Sequence, residues 1–185
     1  MKKGPKHPHR LIVEGKDAHS VIHLMSAHGV DFGAVDSFAP YLQAGVGVDE
    51  DGREMGGRAE AITGFLLALR SPGLRRVGLV LDADEHPSQR WRALQDRLAL
   101  QGVDAPAELA REGWLGRTPD GVRVGVWIMP DNLRPGRLEE LVEGLIPGDD
   151  PCIAHAREAT SRARELGAPF RAVDQLKAEL HTWLA

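Results

Sequence analysis

Val77-Gly78-Leu79-Val80-Leu81-Asp82-Ala83-Asp84-Glu85 is the stretch that decides how this chain folds. Val77 to Leu81 form the most apolar run in the sequence, too short for a helix and lacking the polar alternation of a half-solvated strand. That is the pattern of a strand buried in a parallel sheet. Acids follow at once, where the binding crevice of an α/β sheet opens.

Helical patterns flank this strand. Ile62, Phe65, Leu66 and Leu69 recur at helical spacing until Ser71-Pro72-Gly73 ends them, and Pro87 and Ser88 open another helix whose stripe is Trp91, Leu94 and Leu98. Gly102 ends that one. The same logic applies near the start. Residues 10–14, Arg-Leu-Ile-Val-Glu, read as a strand closed by Gly15, with Asp17 as N-cap of a helix carrying Ala18, Val21, Ile22 and Met25 up to Gly29. Val35 to Phe38 suggest a further strand, and residues 43–57, rich in glycine and acid, a loop or weak hairpin.

Beyond Gly102 the alternation breaks. Trp114 to Arg117 and the alternating Val122, Val124, Val126 and Ile128 enclose the turn Thr118-Pro119-Asp120-Gly121, which predicts an antiparallel edge hairpin. Leu138, Leu141, Val142 and Leu145 describe a short amphipathic helix. Two more should cover about residues 151–166 and a final segment with Phe170, Val173, Leu176, Leu180, Trp183 and Leu184 on one face. The expected fold is α/β: a Rossmann-like domain with a mainly parallel central sheet, an antiparallel edge hairpin and added C-terminal helices. One domain is expected over residues 1–185, with a core at about 10–148 and a helical extension at about 149–185.

At 185 residues, with 42% apolar and 27% charged side chains, the chain can bury a core unaided. Cys152 is the only cysteine, which excludes an internal disulfide and a cysteine zinc cage. The basic start leads into only Leu11 to Val13 before Glu14, so neither a signal peptide nor a membrane span is expected, and a cytoplasmic location is. A net charge of −4 argues against coating nucleic acid by bulk electrostatics. Any such contact would be local, and the candidate basic surfaces are Lys2, Lys3, Lys6 and Arg10, then Arg70, Arg75 and Arg76, then Arg157, Arg162 and Arg164.

Glu14 closes the first strand, and Asp82 and Asp84 close the strand from Val77. If those strands are parallel neighbours, the three acids share one crevice. Alternation along an extended segment would point Asp82 and Asp84 to the same side, with Ala83 turned inward. Clustered carboxylates repel one another unless a proton or cation intervenes, and hard oxygen ligands favour Mg2+ or Mn2+ over zinc. Such an ion can polarise a phosphoryl oxygen or activate water.

Leu11-Ile12-Val13-Glu14-Gly15-Lys16-Asp17 and Leu79-Val80-Leu81-Asp82-Ala83-Asp84-Glu85 together resemble the motifs of Toprim domains, found in topoisomerases, bacterial primases and nucleases of the overcoming-lysogenization-defect type. The chain looks most similar to small stand-alone Toprim-like proteins of unassigned function, which also have Met-Pro-Asp-Asn and Gly-x-Leu-Glu segments, here Met129 to Asn132 and Gly136 to Glu139. The resemblance spans about residues 10–145. It implies acid/base or metal duties for Glu14 and magnesium binding by Asp82 and Asp84. It further implies a metal-dependent nuclease with a transient nucleic-acid partner or, alternatively, a non-catalytic module working with an ATPase or other protein. The tyrosine domain of a topoisomerase and the zinc and helicase modules of a primase have no counterpart here, so neither complete activity is expected.

Lys16 is a candidate phosphate contact, with a solvated loop lysine as the alternative. Glu85, Asp131 and Glu139, with Glu140, are candidates for a second metal position, Glu139 foremost. Acids in a first helical turn also suit the helix dipole without any ligand. His19 and His23 stand at metal-ligand spacing but lack the glutamate of a metalloprotease motif, and surface histidines are the simpler reading.

Overall fold

The computed structural model describes residues 8–30, 36–38 and 58–185. Among the described residues five strands form one sheet: β1 (His9–Val13), β2 (Asp36–Phe38), β3 (Arg76–Asp82), β4 (Trp114–Arg117) and β5 (Arg123–Met129). The helices are α1 (Ala18–Ala27), α2 (Arg58–Leu69), α3 (Pro87–Ala99), α4 (Leu138–Glu143), α5 (Pro151–Glu165) and α6 (Gln175–Leu184). The strand order is β2-β1-β3-β5-β4. All pairings are parallel except β4 with β5. The α/β fold with a mainly parallel sheet, an antiparallel edge and C-terminal helices is therefore the one expected. The loop or hairpin expected at 43–57 lies outside the described residues. Among the described residues no helix is long and apolar enough to cross a membrane.

Strand periodicity sorts the two faces of the sheet. On β3, Val77, Leu79 and Leu81 are buried and join Ile12, Phe65, Trp91, Leu94 and Leu98 in the main core, so α2 and α3 cover this face. The opposite face is covered at β1 by α1, where Val13, Ala18 and Val21 pack with Leu11 and Val80. A third cluster, Ile153, Ala156 and Leu180, joins the C-terminal helices to one another.

One local reading is sharpened and two need correction. The hairpin is present as expected, and of its two strands β4 lies at the sheet's edge while β5 also pairs in parallel with β3 along its whole length. Asp17 does not cap α1 with its side chain, because a 3-10 turn at Gly15–Asp17 already gives it helical dihedrals, φ −72° and ψ −10°. The final helix is shorter than its apolar pattern. Phe170 and Val173 precede it, Val173 and Leu184 are exposed, and Leu180 alone of the six is fully buried.

Candidate functional site

The β1–β3 pairing brings the two acid-ended strands side by side, with Val13 opposite Val80. The ladder runs one residue further, since the Glu14 N–H donates to Val80 O at 3.0 Å. The Glu14 side chain then reaches across, and its Oε2 accepts the Asp82 N–H at 3.2 Å. Gly15, at φ 63°, turns the chain back so that the 3-10 segment carries Asp17 toward the same place. From the other side, the first turn of α4 supplies Glu139, which lies 3.5 Å from Lys177 of α6.

Asp82 is the electrostatic centre of this group. Burial raises its pKa most, and the negative charges of Asp17, Glu14 and Glu139 raise it further, against a smaller opposing effect of Arg137. The result is a carboxyl pushed up to about 8, protonated at neutral pH. Its Oδ1 is buried and has no hydrogen-bond partner. Asp17 is shifted upward too, by burial and then by Glu139, while Lys177 and Arg137 pull the other way. A pocket of acids with an unsatisfied buried oxygen at its centre has room in its bonding for a proton or a cation.

The other candidate acids stand elsewhere. Asp84 has left the strand, with φ 49°, so alternation no longer governs it. Its backbone exchanges hydrogen bonds with Gly136, at 3.0 and 2.7 Å, and its carboxylate pairs with Arg90. It is not among the charges acting on Asp82. Glu85 is 91% exposed beside His86. Asp131 serves a turn, accepting the N–H groups of Leu133 and Arg134 and pairing with the Arg134 guanidinium at 2.7 Å. Glu140 accepts the Arg137 N–H at 2.6 Å. His19 and His23 are exposed, and the Lys16 side chain lies outside the described residues. Among the described residues no three His, Cys, Asp or Glu side chains stand close enough to encircle an ion as they are placed.

An open cleft of about 830 Å3 has Leu81, Ala83, Asp84, Arg90, Arg137 and Glu140 among its lining, and none of Glu14, Asp17, Asp82 and Glu139. Arg137 belongs to both places, since it lines the cleft and its charge acts on Asp82 and Asp17.

Residues 8–185 match the profile of a family described as "Protein of unknown function (DUF3226)". The chain belongs to this family. No curated protein and no solved structure matches it.

In this DUF3226 chain one residue of each auxiliary motif, Asn132 and Gly136, has an architectural role. Asn132, buried at φ 68°, accepts the Ile128 N–H at 2.7 Å and donates to Arg111 O at 2.9 Å, clipping the end of β5 to the segment before β4. Gly136, at φ 138°, sits where a Cβ would come within 2.9 Å of Glu140 Cγ, so glycine is needed for α4 to begin beside Asp84. Asp17 is the site acid that sequence reasoning passed over by treating it as a cap. Its place three residues after Glu14 was the available signal, because a single tight turn returns it to the end of β1.

Proposed function

We propose that this DUF3226 protein is a divalent-metal-dependent phosphoryl-transfer protein of the Toprim kind, acting as a nuclease on DNA or RNA. The observation that carries the reading is Asp82: a carboxyl at the end of a central strand, with Glu14, Asp17 and Glu139 around it and Oδ1 buried without a partner. The donor set is all oxygen, which suits Mg2+ or Mn2+. A cation bound there would supply a Lewis acid for a phosphoryl oxygen and lower the pKa of a water.

The chain's own groups have definite tasks in this scheme. A cation held there would be bound by Asp82 in its deprotonated form, and Asp17 and Glu139 would share in balancing its charge. Glu14, oriented by the Asp82 N–H, is the strand-end carboxylate assigned to metal or proton work. Arg137, on the border of cleft and acids, balances the charge of a phosphate brought against them.

The second reading is a non-catalytic Toprim module acting with an ATPase or other partner. It is favoured by Asp84, the second acid of the Asp-x-Asp pair, whose carboxylate is engaged by Arg90.

Incubation of the purified protein with labelled DNA and RNA in Mg2+ or Mn2+ tests the proposal. Cleavage that disappears in Asp82→Asn and Glu14→Gln supports it. Cleavage equal in those variants, or none in any condition, sinks the nuclease reading, and the second outcome turns attention to the partner-dependent module.

A further inference from the structure

The sheet has a second feature at its opposite end. Arg76 on β3 is the register partner of Arg123 on β5, which is in turn the partner of Arg117 on β4. Three arginines thus form one cross-strand row, with neighbouring strands about 5 Å apart. All three are exposed, and among the described residues none has an acidic partner; Arg117 donates to Gly121 O at 2.9 Å. Like charges placed directly opposite in a sheet are destabilising, so the row carries a cost that a bound polyanion would remove.

The residues beside the row suit such a ligand. Gly78 and Gly125, register partners, leave room in the next row for the side chains of Leu11 and Leu115 to lie over them, and Leu115 is 87% exposed. Arg76, Arg117, Arg123, Leu115 and both glycines line a shallow depression of about 580 Å3. One step further along β5 on the same face is Trp127, only partly buried. A basic row beside an apolar strip and an aromatic ring is the combination that takes single-stranded nucleic acid, phosphates on the arginines and bases stacked on the ring. The chain as a whole is acidic, at −4, so this concentration of unpaired positive charge is local.

We propose that this open face of β3, β5 and β4 is a docking surface for single-stranded nucleic acid. Arg76 and Asp82 are the two ends of β3, on one face of it, and stand about 20 Å apart. The surface therefore holds the strand at a distance from the acid pocket rather than at the reacting bond, and its role as a substrate anchor rests on the phosphoryl-transfer reading.

The test is fluorescence anisotropy with a short labelled DNA strand, its RNA counterpart and the matching duplex, all in excess chelator so that no cleavage occurs. Arg76→Ala with Arg123→Ala should weaken single-strand binding about tenfold or more and flatten the salt dependence by about 0.7 in log–log slope per arginine. The paired lysine variant should keep most of the binding. Single-strand binding unchanged in the alanine pair, or a clear preference for the duplex, overturns the proposal. So does sedimentation showing a dimer that Leu115→Glu splits, since the face would then belong to a second copy of the chain. Loss of metal response or cleavage in Asp82→Asn bears on the acid pocket alone and leaves this measurement standing.

Discussion

The Glu14 carboxylate accepts the backbone N–H of Asp82 across two neighbouring parallel strands, at 3.2 Å. One acid thus fixes the strand end that carries the other, while its charge helps to keep that other protonated.

Stability should fall with rising pH. Asp82 has an ordinary carboxyl pKa of 3.8 in the unfolded chain and one near 8 when folded. Its contribution is thus fully present below about pH 4, is lost progressively up to about pH 8, and changes no further above that. Asp17 acts in the same direction. Without metal, Asp82→Asn should raise stability at pH 8 by on the order of 3 kcal/mol and flatten the profile. Urea unfolding midpoints at pH 5 and pH 8 check this, and an equally steep profile in the variant would refute it.

Metal binding should release a proton. Apparent affinity for Mg2+ or Mn2+ should then rise up to about tenfold per pH unit between pH 6 and 8, seen as a growing thermal shift at fixed metal concentration. Asp82→Asn should abolish the shift. Asp84→Asn should leave most of it, because Asp84 pairs with Arg90 outside the acid group. A shift lost equally in both variants would draw Asp84 into the site.

Glu14→Gln should remove cleavage while unfolding within about 1 kcal/mol of the parent, since the amide oxygen can still accept the Asp82 N–H. Turnover measured beside melting curves decides it, and loss of activity only through unfolding would leave Glu14 a structural role.

Asn132→Ala should destabilise by about 3 kcal/mol. It removes one buried and one partly buried hydrogen bond and leaves a non-glycine residue at φ 68° without the side chain that holds it there. Denaturant unfolding measures the loss; a change under about 0.5 kcal/mol would show that the clip is dispensable.

Much of the fold was legible because periodicity and punctuation agree locally. The runs before Glu14 and Asp82 read as buried strands, and each proved to be a parallel neighbour of the other. What pattern alone hid was pairing. The alternating residues 122–128 describe a half-solvated strand equally well at an edge or beside β3, and only tertiary packing chooses. The site was half legible for a related reason. Alternation assumes extended backbone, which ends at Asp82, so it misdirected the reading of Asp84. Asp17 and Glu139 come together with Asp82 only through turns and helices whose geometry spacing does not encode.

The contact between Glu14 and Asp82 spans 68 residues of chain. During synthesis, β1 is completed several seconds before β3 exists, at about 10 residues per second. In the interval the end of β1 is an unpaired template, and its acids are ordinary ionised carboxylates in water. The acid pocket therefore has no early form that local folding could assemble: it begins in the non-local step that sets β1 beside β3 and is complete only when α4 brings Glu139 to it.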